Sequence, residues 1–243
     1  MRFTILGMSA LALAAVSAPA FAQDEPAPAV TVTGSATVVT DYRFRGISQT
    51  YKQFALQGGF SVAHESGFYV GTWGSSIDDY VAFGSDQEID FFGGYSTTVG
   101  AATVDVGVLY YYFPGSGGNA TDFIEPYASV KGTFGPVTAK IGATYAPKQN
   151  ALDYGFGKET GFYAYGDLSG AVGPVTLTGH LGHSFSRNVA TFGTKYTDWS
   201  VGASYTWNHL TFGVSYVDTD KDLFVGTRNV SKAGVVGSIG VSF

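Results

Sequence analysis

From Thr31 onward the chain alternates apolar with small or polar residues. In GVVGSIGVSF (234–243), Val235, Gly237, Ile239, Val241 and Phe243 share one parity. Gly234, Val236, Ser238, Gly240 and Ser242 share the other. Successive side chains of a strand face opposite ways, so the segment has an apolar face and a Gly/Ser face, broken only by Val236. The same period predicts twelve strands, near 31–45, 53–64, 67–77, 87–97, 102–113, 122–134, 137–147, 160–172, 175–186, 196–207, 210–220 and 232–243. Strand three, FYVGTWGSSI, does not declare its apolar parity, which leaves Tyr69 and Trp73 unassigned between the two faces.

The connections alternate in length. Long segments fall at 46–52, 78–86, 114–121, 148–159, 187–195 and 221–231, and short ones at 65–67, 98–101, 135–136, 173–174 and 208–209. In an up-and-down arrangement every long loop then lies at one end of the strands and every tight turn at the other. Transmembrane barrels of the outer-membrane type have this asymmetry. The fold class expected is all-β: a transmembrane antiparallel up-and-down β-barrel of about twelve strands. The near-repeats FGPVTAKIG (134–142) and VGPVTLTGH (172–180) fit two equivalent hairpins.

Composition strengthens this. Glycine contributes 34 of 243 residues, aromatics 16% and charged residues only 13%, the last about half the usual ~25% share. No stretch after residue 22 is long and apolar enough for a membrane-spanning helix, so a closed barrel is the remaining way to cross a bilayer. The N-terminus, with Arg2, an apolar run over 3–16 and Ala20-Phe21-Ala22, reads as a secretory signal peptide over 1–22. Residues 23–30 read as a flexible leader and 31–243 as the barrel domain. The formal charge is −6, or −7 without Arg2, which argues against nucleic acid as a partner. There is no cysteine, which excludes thiolate chemistry.

Aromatic placement distinguishes a lipid-facing barrel from a soluble one. On the apolar parity Tyr42, Phe44, Tyr110, Tyr112, Tyr145, Phe162 and Phe185 gather toward the long loops, and Phe134, Trp207, Phe212 and Phe243 toward the turns. Aliphatic residues such as Ala36, Val106, Ala143 and Leu168 lie between. Two girdles around an aliphatic band match the two membrane interfaces, so outer-membrane lipid is the expected partner of that face.

The stretch TDYRFRGISQT (40–50) resembles the opening motif of the TorF-type porins, a family of bacterial outer-membrane proteins. ALQGGFSVAHESGFYVGTWGSS (55–76) and EIDFFGGY (88–95) continue the resemblance. It departs at Phe54, where the family often has proline. The resemblance implies a porin-like role in the bacterial outer membrane, without naming a solute. It also implies that the terminal strand, through Phe243, is presented to the outer-membrane assembly machinery.

The luminal parity carries the candidate pore-lining residues: Asp41, Arg43, Arg45, Glu88, Asp90, Asp105, Glu125, Lys131, Lys140, Asp167, Asp198 and Lys232. Arg43 and Arg45 are expected to pair with Asp41, Glu88 and Asp90, because a confined guanidinium calls for a carboxylate. These charges serve equally as a pore field or as a salt-bridge filling. Twelve strands give a backbone diameter of about 24 Å and a bore of roughly 8–10 Å or less. The expected function is passive diffusion of small hydrophilic solutes, weakly cation-preferring because the assigned acids outnumber the bases. No cofactor, metal site or enzymatic activity is expected: the chain has no nucleophile elbow, phosphate loop or metal-ligand spacing. A non-conducting structural or adhesive barrel and an outer-membrane lipid hydrolase are the alternatives, the latter needing an outward histidine such as His183 beside a serine.

Overall fold

A computed structural model describes residues 29–153, 155 and 159–243. The expected signal peptide lies outside the described residues, as does the leader except for Ala29 and Val30. Twelve antiparallel strands close into one barrel: β1 (Val30–Val39), β2 (Ala55–His64), β3 (Phe68–Ser76), β4 (Gln87–Val99), β5 (Ala102–Tyr112), β6 (Phe123–Phe134), β7 (Val137–Gln149), β8 (Glu159–Val172), β9 (Val175–Ser184), β10 (Tyr196–Trp207), β11 (Leu210–Thr219) and β12 (Gly234–Ser242). Each pairs with its chain neighbours, and β12 returns to β1 through Ser35–Val39 against Ser238–Ser242. Gly34 and Phe243 exchange both backbone hydrogen bonds, at 2.8 and 3.0 Å.

The two ends differ as the loop lengths imply. Hairpins such as β6–β7 and β8–β9 close on Gly-Pro, with Gly135 and Gly173 at φ +62° and +61°, a conformation that a side chain disfavours. On the outer wall Leu56, Val70, Ile141, Leu181, Val201 and Ile239 are exposed. So large an apolar surface is tolerable only against lipid. Tyr110, Tyr112, Tyr145, Phe162 and Phe185 flank it toward the long loops, and Phe134, Trp207, Phe212 and Phe243 toward the turns. Strand three now declares itself: Phe68 and Val70 are exposed, whereas Tyr69 is buried and Trp73 packs against the core inside the barrel.

The largest departure from the sequence pattern is at the first strand. The alternation runs unbroken through Arg45, but β1 stops at Val39 and the chain turns into the lumen. Arg43–Phe44 and Ile47–Ser48 form a small hairpin, with Arg43 opposite Ser48 and Phe44 opposite Ile47. Its turn residues Arg45 and Gly46 both have positive φ, +49° and +82°, the geometry of a tight mirror-image turn. Tyr42 and Phe44 are therefore not girdle residues. Tyr42 is 2% exposed, and both rings join an interior cluster with Val39, Leu109, Tyr111, Val217 and Val236. Burying two rings against these aliphatic groups outweighs leaving them on the outer wall, because the lumen there offers apolar neighbours.

Candidate functional site

The candidate site is the lumen at the level of this hairpin, which reaches across the bore. A Cβ added to Gly46 at the tip would stand 2.9 Å from the Asp198 Cβ on β10, so the turn abuts the far wall. Arg45 extends further. Its Nη2 donates to Glu125 Oε2 on β6 at 2.6 Å and to Thr144 Oγ1 on β7 at 3.0 Å. Its guanidinium lies 4.3 Å from the Tyr163 ring on β8 and 4.7 Å from that of Phe44. Such a planar cation gains from a carboxylate at its edge and rings on its faces.

Arg43 anchors the hairpin's base. Its Nε donates to Asp41 Oδ2 at 2.5 Å, and its Nη1 donates to the carbonyls of Gly46 (3.0 Å) and Lys232 (3.1 Å). Asp41 also accepts from Ser48 Oγ at 2.6 Å. Backbone bonds tie the segment to the neighbouring loops: Ser48 N to Val230 O, and Asp78 N to Gln49 O, both 2.8 Å. The Tyr80 hydroxyl donates to the Ser48 carbonyl. At this outer rim, burial raises the Asp78 carboxyl above its ordinary pKa and lowers the Lys52 ammonium below its own.

The expected partners of the arginines are realised only in part. Arg43 takes Asp41, but Arg45 takes Glu125 rather than Glu88 or Asp90, because the hairpin carries it across the bore, past β4. Glu88 instead accepts the Tyr42 hydroxyl at 3.2 Å on both oxygens. Asp90 is buried and its Oδ1 has no partner among the described residues. Lys232 does not line the pore by its side chain: it precedes β12, is exposed in the last long loop, and contributes only its carbonyl.

Below the hairpin, toward the turns, a second polar layer crosses the barrel. Asp105 accepts from Tyr69 Oη at 2.6 Å, and Tyr69 and Tyr127 join hydroxyls at 2.5 Å. Their rings fit because Gly94 and Gly107 stand between them in register; a Cβ on Gly94 would lie 2.5 Å from the Tyr69 oxygen. Lys131 and Lys140 are cross-strand neighbours, with Lys140 Nζ 5.2 Å from the Tyr165 ring. Asp167 pairs with His180 Nδ1 at 2.6 Å. His180 Nε2 meets Asp198 at 3.2 Å and the Tyr163 hydroxyl at 2.8 Å. His180 is absent from the residues picked out by sequence, although it shares the luminal parity of β9 with Thr176 and Thr178. The outward His183 pairs with the Thr197 hydroxyl at 2.8 Å, not with a serine.

A lumen of this make-up, in a closed barrel with an apolar belt, defines the class of outer-membrane channel-like barrels. The chain belongs to the Gcw_chp family, described as a bacterial protein of unknown function, whose model matches residues 23–243. No curated protein matches. Among solved structures, the KdgM porin is similar at 10% identity with a TM-score of 0.57, over 88% of this chain and 98% of that one. The COG4313 outer membrane channel from Pseudomonas putida F1 is similar at 13% identity with a TM-score of 0.50, over 90% and 96% of the two chains. These likenesses are of fold. They support a porin-like barrel and do not extend to the TorF-type name.

Proposed function

We propose that the protein is a narrow outer-membrane pore through which small hydrophilic solutes diffuse passively, with a weak preference for cations. The observation that carries this reading is the two-layer polar lumen enclosed by a wall whose outer face is apolar. The charge balance supports the preference: the luminal acids are Asp41, Glu88, Asp90, Asp105, Glu125, Asp167 and Asp198, and the bases are Arg43, Arg45, Lys131 and Lys140. Moving Lys232 to the loop leaves a larger acidic excess than the sequence pattern implies. Negative charge in a confined low-dielectric channel concentrates cations. The resemblance of 40–50, 55–76 and 88–95 to the TorF-type porins agrees with this role. The reading assigns no catalytic chemistry and no cofactor. Its partners are outer-membrane lipid, small solutes and, through the strand ending in Phe243, the assembly machinery.

The test is the reversal potential of refolded protein in a planar bilayer under a salt gradient. A small potential of cation-selective sign supports the proposal, and a clear anion preference sinks it. The in-folded hairpin favours a second reading, a closed structural or adhesive barrel. Stable current steps from the intact chain would reject that second reading.

A further inference from the structure

Of the buried luminal charges, the pair on β4 is left without a cation. Arg43 is committed to Asp41 and Arg45 to Glu125. Glu88 and Asp90 are 4% and 3% exposed. Glu88 has only the Tyr42 hydroxyl, and Asp90 Oδ1 has no hydrogen-bond partner at all. The charged groups acting on Asp90 are Glu88 and Glu125, both of its own sign. A buried carboxylate so placed is strongly unfavourable unless something positive accompanies it. The two residues are two apart on one strand, so their side chains leave the same face with Cα atoms roughly 7 Å apart, a spacing from which two carboxylates can converge on a single ion. Aromatic faces complete the surroundings: Trp73 is the register partner of Asp90 and meets Tyr42 edge-on at 5.5 Å, and Tyr111 is the partner on the other side.

We propose that the recess between Glu88 and Asp90, beside Tyr42 and Trp73, holds a monovalent cation, sodium or potassium. A tightly chelated divalent ion is not the ligand, because no three acidic or histidine side chains among the described residues converge to hold one and calcium takes about six to eight oxygens. A monovalent ion keeps part of its water, balances the charge and leaves readily, as a station on a conduction path must. This role rests on the channel reading, but the site itself does not require current to be observed.

The experiment uses the refolded full chain in detergent at fixed pH and ionic strength, in sodium, potassium or N-methylglucamine chloride. The unfolding midpoint and the sodium-23 linewidth are measured. Expected results are a midpoint that rises with sodium or potassium but not with N-methylglucamine, and a broadened sodium line. Asp90→Asn should abolish both effects and raise the midpoint in N-methylglucamine, since it removes an unpaired charge. Glu88→Gln serves if Asp90→Asn does not fold, and the exposed turn residue Glu65, changed to Gln, should leave both effects intact. Equal midpoints in all three salts, a response to calcium alone, or a sodium line that Asp90→Asn leaves broad would overturn the site. Broadening in a barrel that passes no current would reject the channel and keep the site, and current without broadening would do the reverse.

Discussion

The two ends of the lumen are built on opposite principles. At the loop end, rings, aliphatic groups and paired charges from the 43–48 hairpin and the wall fill the bore. At the turn end the luminal side chains are short alcohols. Cross-strand hydroxyls meet in register at Thr33–Ser61, Thr98–Thr103, Thr133–Thr138 and Thr206–Thr211, at 2.8 to 3.2 Å, all open to solvent or nearly so. A small hydroxyl wall satisfies itself locally and leaves space. A wall of guanidiniums and phenols needs partners from several strands, and so it pulls structure across the bore. The loop end is therefore where passage is decided.

Replacing residues 41–53 by a short Gly-Ser connection is expected to have the largest effect. Single-channel conductance should rise severalfold while circular dichroism remains that of a β-barrel, because none of the twelve wall strands is removed; unchanged conductance would mean that the turn end is the narrower one. Next in size is Arg45→Ala, which leaves Glu125 buried without its cation. Unfolding by urea in detergent should show a loss of roughly 3 kcal/mol, and Arg45→Lys should restore only part of it, since an ammonium cannot pair at its edge and stack on Tyr163 and Phe44 together. Gly94→Ala should cost about 1–3 kcal/mol by displacing Tyr69 from its Tyr127 contact, read by the same denaturation. Smallest is Thr133→Ser at the turn end, expected within about 0.5 kcal/mol and without effect on conductance; a marked change there would make the contrast between the two ends untenable.

Much of the wall was legible in the sequence because lipid outside and water inside impose a period of two that turn chemistry punctuates. Glu88, Asp90, Asp105, Glu125, Lys131, Lys140, Asp167 and Asp198 all lie on the luminal parity that the pattern assigns. The segment 40–50 was not legible, because an in-folded hairpin also alternates and TDYRFR continues the period of β1 without a break. A signal was nevertheless present. Val39, Leu109, Val217 and Val236 are apolar on the luminal parity, where alternation asks for something small or polar, and all four lie in the cluster that receives Tyr42 and Phe44. Aliphatic residues facing a watery lumen mark the place where the lumen is not watery. The pairing of Arg45 needed the tertiary path of the hairpin and could not come from spacing along the strand.

The inward departure of the chain at Val39 also sets the strength of the barrel's closing joint. β1 pairs with β2 over ten residues, Val30–Val39, but with β12 over only five, Ser35–Val39. Thr40 adds a tether beyond them, its N–H donating to the Gly237 carbonyl at 2.9 Å and its hydroxyl accepting from the Gly237 N–H at 2.9 Å. Ladders in this wall break in proportion to the bonds that must open together. A pulling force or a thermal fluctuation will accordingly unzip the cylinder along this line first, and during biogenesis it is the line that seals last.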